Sequence, residues 1–138
     1  MVVFILGGVK GGKSMFAQFF AKHISLEAPL YYIATMIPYD SEDNKRIERH
    51  KHDREGWGFI TIEEHYSINN AIDQIPKGST IMIDSITAYV QNNMFDESRL
   101  YPGIDELVRD IHTIENDDYN FVIVSDYIFS DAIKNSRV

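Results

Sequence analysis

The chain has 138 residues, 44% apolar and 12% aromatic, enough to bury one core, so a single domain spanning 1–138 is expected. A formal charge of −8 excludes nucleic-acid binding through bulk positive charge, and no run approaches the ~20 apolar residues of a membrane span. Zero cysteines exclude a disulfide framework and a Cys-based zinc site, a usage that suits a reducing cytoplasm.

Val2–Leu6 reads as a first strand: no cationic segment precedes this apolar run and no small-residue cleavage site follows it. Directly behind it comes Gly7-Gly8-Val9-Lys10-Gly11-Gly12-Lys13-Ser14, the spacing G-x-x-x-x-G-K-S, and then a helical run. A Gly-rich turn leading into a helix N-terminus offers converging backbone N–H groups to phosphates. Lys13 is then placed to reach the β/γ-phosphates of ATP or GTP, and the Ser14 hydroxyl to take a position on Mg²⁺.

Further strands are predicted at Leu30–Ala34, Gly58–Ile62, Thr80–Asp84 and Phe121–Ser125. Helices are predicted at Lys13–Ser25, Ser41–Arg54, Ser67–Ile75, Ile86–Phe95 and Ile104–Glu115. Breaks fall at Pro29, Pro38, Pro76-Lys77-Gly78 and Pro102-Gly103. The alternation specifies an α/β fold of the P-loop NTPase type, with a mostly parallel central sheet flanked by helices. The strands at 2–6, 80–84 and 121–125 read as continuously apolar, the pattern of parallel strands buried on both faces.

With so acidic a chain, a phosphorylated ligand needs a local cationic site, and a second one stands at residues 45–54. On a helix, Arg46, His50 and Arg54 are spaced by four and share one face. A histidine flanked by two arginines can act as a nucleophile toward phosphorus while the guanidiniums fork onto phosphate oxygens. The plain alternative is a solvated charged face. His52 lies about 200° around the helix from His50 and belongs elsewhere. Asp84, ending an apolar strand, suits the carboxylate that helps to hold Mg²⁺; the plainer reading is a cap for the helix that begins Ser85-Ile86-Thr87, and both roles can hold together. His23, His65 and His112 show no metal spacing and read as surface or capping residues. Trp57, Tyr31 and Tyr32 read as core, with a ligand cleft as the alternative. Asp105-Glu106 and 115–118 read as solvated acidic faces.

Several of these segments together resemble the bifunctional adenosylcobinamide kinase / adenosylcobinamide-phosphate guanylyltransferase family of cobalamin biosynthesis. The likeness rests on the loop at 7–14, Tyr32-Ile33-Ala34-Thr35, Arg46-Ile47-x-x-His50-x-x-x-Arg54, Trp57 with Thr61 and Glu63, and Ile83-Asp84-Ser85-Ile86-Thr87 with Asn92 and Asn93. These blocks span residues 1 to about 95. The resemblance implies a transferase in which the loop binds the nucleoside triphosphate and His50 accepts GMP covalently, with Arg46 and Arg54 as phosphate partners. It also implies a cobinamide as second substrate and a homo-oligomer, trimers among them. Three segments depart from the family pattern. Arg54-Glu55-Gly56-Trp57 lacks the family's Arg-Pro. Asp126-Tyr127-Ile128-Phe129 replaces its N-E-x-G. The family's further helix and last strand do not follow, so a C-terminally short form is expected. The residues by themselves leave open a kinase or NTPase acting on another small molecule, or a shortened nucleotide-binding module without catalysis.

Overall fold

A computed structural model describes residues 1–7, 12–94, 108–110, 112–115 and 118–126. Five strands, β1 (Val2–Gly7), β2 (Leu30–Ala34), β3 (Phe59–Glu63), β4 (Thr80–Asp84) and β5 (Asn120–Asp126), form one sheet in the order β1-β5-β4-β2-β3. Every pairing in it is parallel. Parallel pairing has a direct consequence: all five strands end on the same edge. The register Gly7↔Asp126, Val124↔Asp84 and Asp84↔Ala34↔Glu63 lines up the strand ends that carry the candidate chemistry.

Between the strands lie α1 (Lys13–Ser25), α2 (Ser41–Arg54), α3 (Ile68–Ile72) and α4 (Ile86–Met94), with helical residues again at 108–110 and 112–114. One face of the sheet packs Tyr32, Met82 and Val122 against Ala17 and Ala21 of α1. The other packs Ile33, Ile83 and Ile123 against Ile68, Ile72 and Tyr89. Alternate residues along β2, β4 and β5 therefore enter two separate cores. Truncating one of the fully buried isoleucines, such as Ile83→Ala, should cost about 2–5 kcal/mol.

Two expectations are corrected here. β1 is not buried on both faces, because it is an edge strand: Ile5 packs toward α1, but Phe4 and Leu6 on the opposite face are each 58% exposed. The helix expected over Ser67–Ile75 is confined to Ile68–Ile72. Its C-terminal N–H groups turn back onto i−3 carbonyls, Gln74 to Ala71 and Ile75 to Ile72, ahead of Pro76, which disfavours helical backbone at the residue before it. Strand ends otherwise differ from expectation by a residue or so. Phe95 and part of the helix expected at Ile104–Glu115 lie outside the described residues, as do Asp105, Glu106 and the residues at 116 and 117.

Candidate active site

The site grows from the end of β1. Gly12, at the N-cap of α1, has φ of 69°, a backbone that L side chains rarely adopt. Gly7 ends β1 with the Lys13 side chain packed beside it, Cδ lying 3.4 Å from where a Cβ would stand, an ordinary contact distance. Lys13 and Ser14 open the 13-residue α1, where unsatisfied N–H groups and the helix dipole favour an anion. Gly8, Val9, Lys10 and Gly11, expected to complete the phosphate cradle, lie outside the described residues.

Asp84, at the end of β4, is the hub of the site. Its Oδ2 accepts hydrogen bonds from Ser14 Oγ at 3.1 Å and Tyr32 Oη at 2.6 Å, and lies 3.3 Å from His50 Nδ1. Burial works to raise the Asp84 pKa, but the bonds from His50, Tyr32 and Ser14 outweigh it and hold the carboxyl below its usual range. The Tyr32 hydroxyl is pushed well above its usual range by burial and by the Asp84 charge, and it stays a neutral donor. Asp84 does not cap α4. That role falls to Ser85, whose Oγ accepts from the Ala88 N–H at 3.1 Å.

α2 brings the cationic stripe over this edge. It starts where Asp40 caps the Asp43 N–H at 2.8 Å, with Glu42 and Asp43 in its first turn and Lys51, His52 and Arg54 in its last, complementing the dipole at both ends. Gln18 of α1 anchors its far end by donating to the Asp53 carbonyl at 2.8 Å. Arg46, His50 and Arg54 all line one cleft of about 270 Å³, together with Lys13, Ser14 and Asp84. The stripe thus faces the cleft, with Arg46 and His50 half-buried. Arg54 is buried, its guanidinium 3.7 Å from the Tyr32 ring centroid and its Nε without a hydrogen-bond partner. The cleft carries five Lys and Arg against four Asp and Glu, so it is locally cationic in a chain of net charge −8. His52 points away, 80% exposed and paired with Glu55.

His65 and Asp126 are among the cleft residues that escaped the sequence reading. His65 is not a surface residue but a half-buried lining residue, its Nδ1 3.0 Å from the Thr35 carbonyl. A carbonyl only accepts, so Nδ1 carries the proton and neutral His65 keeps its lone pair on Nε2. Asn92 of α4 fastens this corner by donating to the carbonyls of Thr35 at 2.8 Å and His65 at 3.0 Å. The other is Asp126, at the end of β5, which forms an ion pair with Lys13. The two residues stand at the start of α1 and the end of β5, 113 positions apart in the chain, so no local pattern announces the pair. His23 and His112 are exposed, as expected. Tyr32 both fills the core and lines the cleft, whereas Trp57 packs edge-on against Phe19 with centroids 4.8 Å apart.

An all-parallel α/β sheet with a Gly-Lys-Ser helix start after one strand and a carboxylate ending the strand two places away defines a P-loop-like fold built around a locally cationic cleft. A model of the cobinamide kinase / cobinamide phosphate guanyltransferase family matches residues 3–138, and the chain belongs to that family. It is accordingly a transferase of cobalamin biosynthesis, and the match runs well past residue 95, where the recognisable motifs end. No curated protein matches the sequence.

Proposed function

We propose that the chain phosphorylates the aminopropanol hydroxyl of adenosylcobinamide and then transfers GMP onto that phosphate through a covalent intermediate on His50, using ATP or GTP with Mg²⁺ in the cytoplasm. The observation that carries this reading is the His50–Asp84 contact within the cleft that Lys13 and Ser14 line.

Asp84 is held as a carboxylate and only accepts, so the proton of neutral His50 sits on Nδ1 and the lone pair on Nε2. Attack by Nε2 on the α-phosphorus of GTP forms a P–N bond and breaks the bond to the β-phosphate oxygen, releasing pyrophosphate. Attack by the cobinamide phosphate oxygen then breaks P–N and forms the product diphosphate. Arg46 and Arg54 supply guanidiniums for the phosphate oxygens, and the unpartnered Nε of buried Arg54 is a donor still to be satisfied. In the kinase step Lys13 stabilises charge on the γ-phosphoryl group. Ser14 Oγ and Asp84 Oδ2, hard oxygen donors 3.1 Å apart, fit a divalent cation that keeps waters and phosphate oxygens as its other ligands. A Mg²⁺ ion held by these two residues would supply charge neutralisation for the phosphates.

The exposed apolar side chains of edge strand β1 (Phe4, Leu6) and of α1 (Phe16, Phe19) support self-association into a homo-oligomer, a trimer by resemblance. The kinase assignment is tested by incubating γ-labelled ATP or GTP with adenosylcobinamide. Label should move to the corrinoid, persist in His50→Ala and vanish in Lys13→Ala. Nucleotide hydrolysis without any labelled corrinoid would contradict it.

A further inference from the structure

Asp126 stands in the cleft without a part in either step described so far. Its carboxylate is 20% exposed and forms an ion pair with Lys13 Nζ, whose side chain is 9% exposed. The strand end that carries it is fastened from two sides. The Asp126 N–H donates to Thr87 Oγ1 at 2.8 Å, Thr87 being buried, and Asp126 is in register with Gly7 of β1, beside which the Lys13 side chain packs. The bond to Thr87 is made by the backbone, so the carboxylate itself does not fix the strand end. The Asn that opens the family's N-E-x-G stands as Asp here, so phosphoryl transfer needs no carboxylate at this position and the added negative charge has another role.

The loop motif directs Lys13 to the β/γ-phosphates. An ammonium has several N–H donors but a single unit of charge. A carboxylate held against it cancels the attraction that phosphate oxygens would feel, and is itself a like charge toward them. Asp84, the other carboxylate close to the loop, is taken up by Ser14, Tyr32 and His50. Asp126 is therefore the group whose charge bears on the lysine. Exposed ion pairs contribute almost nothing, but side chains as buried as these keep much more of their Coulomb attraction.

We propose that Asp126 is a latch on the loop lysine, a carboxylate that holds Lys13 until the phosphates of a nucleoside triphosphate displace it. The inference rests on the phosphate-binding role given to Lys13 above. No covalent bond changes: Lys13 exchanges one carboxylate for the β/γ-phosphates, whose larger charge wins the exchange. The consequence is a weaker hold on triphosphate than the loop would otherwise have, so the cleft fills at a higher nucleotide concentration.

The test titrates the full chain and its Asp126→Asn variant with GTP and with inorganic tripolyphosphate by calorimetry. Asp126→Asn should bind both about tenfold more tightly, because the gain lies at the phosphates and not at the nucleoside. Thermal melts without nucleotide give a second readout on Lys13→Ala, Asp126→Asn and the double variant. A latch predicts that the double variant loses clearly less Tm than the sum of the two single losses, since either change alone already breaks the pair. Asp126→Ser carries both measurements if the asparagine variant does not fold. An affinity of Asp126→Asn within about twofold of wild type overturns the inference. A weaker affinity overturns it too, by making Asp126 a support for the phosphates. Additive Tm losses also overturn it, because any gain in binding would then be plain repulsion with no pair to release. A wild-type chain that binds neither probe, or a Lys13→Ala variant that binds both as tightly as wild type, overturns the reading of Lys13 as a phosphate ligand, and the latch with it.

Discussion

Tyr32→Phe removes one oxygen and little else. The ring still supports the Arg54 guanidinium and still meets Phe59 edge-on, with centroids 6.0 Å apart. What disappears is the 2.6 Å hydrogen bond from Tyr32 Oη to the buried Asp84 carboxylate. Hydrogen bonds to charged groups contribute roughly 1.5–3 kcal/mol, and a loss of about 2 kcal/mol in a domain of this size lowers Tm by roughly 6–8 °C. The pH dependence gives the second readout. Asp84 has a folded-state pKa below its ordinary value, so its stabilisation is present above the ordinary carboxylate range and is lost as pH falls through the folded-state value. With one donor gone the depression shrinks, so the acid-dependent loss of the Asp84 contribution should be smaller in Tyr32→Phe and complete at a higher pH than in wild type. Circular-dichroism melts across an acid pH series measure both effects. Unchanged Tm together with a superimposable acid limb would refute the view that Asp84 depends on Tyr32.

Lys13→Ala should weaken triphosphate binding and cut phosphoryl transfer by at least about 10²-fold while leaving the far-UV spectrum native, as filter binding and label transfer would show. Asp110, buried and accepting from the Tyr89 hydroxyl and the Ile68 N–H, has its pKa raised by burial. The stability held by its neutral carboxyl is present below the ordinary carboxylate range and fades as pH rises through the raised value. Asp110→Asn should therefore flatten the pH dependence of urea unfolding over that window, and an unchanged slope would contradict this. Light scattering at high micromolar concentration should report a homo-oligomer that Phe4→Ser with Leu6→Ser shifts toward monomer; a monomeric wild type would count against self-association.

The features carried by short-range spacing were legible in the sequence. Lys13, Ser14 and Asp84 follow from a loop motif and a strand end, and Arg46, His50 and Arg54 from a four-residue helical period, and all six line the same cleft. Features that depend on strand order were not legible. The Tyr32 hydroxyl reaches Asp84 only because β2 and β4 pair in parallel with Ala34 opposite Asp84. Asp126 meets Lys13 only because β5 inserts between β1 and β4 and aligns Asp126 with Gly7. The same nonlocal fact explains β1. Its apolar run looks like that of β4, but an edge position leaves one face exposed, and no local pattern distinguishes an edge strand from a central one. His65 was missed for a similar reason, since the Thr35 carbonyl that orients it lies thirty positions earlier on the neighbouring strand's exit.

The most direct measurement is covalent labelling with α-labelled GTP in wild type and His50→Ala, alongside nucleotide binding by both. The account predicts an acid-labile label on the wild-type chain, no label on His50→Ala, and triphosphate binding preserved in the variant. An unlabelled wild-type chain, a labelled His50→Ala, or a variant that no longer binds nucleotide would contradict the assignment of His50 as the guanylyl acceptor.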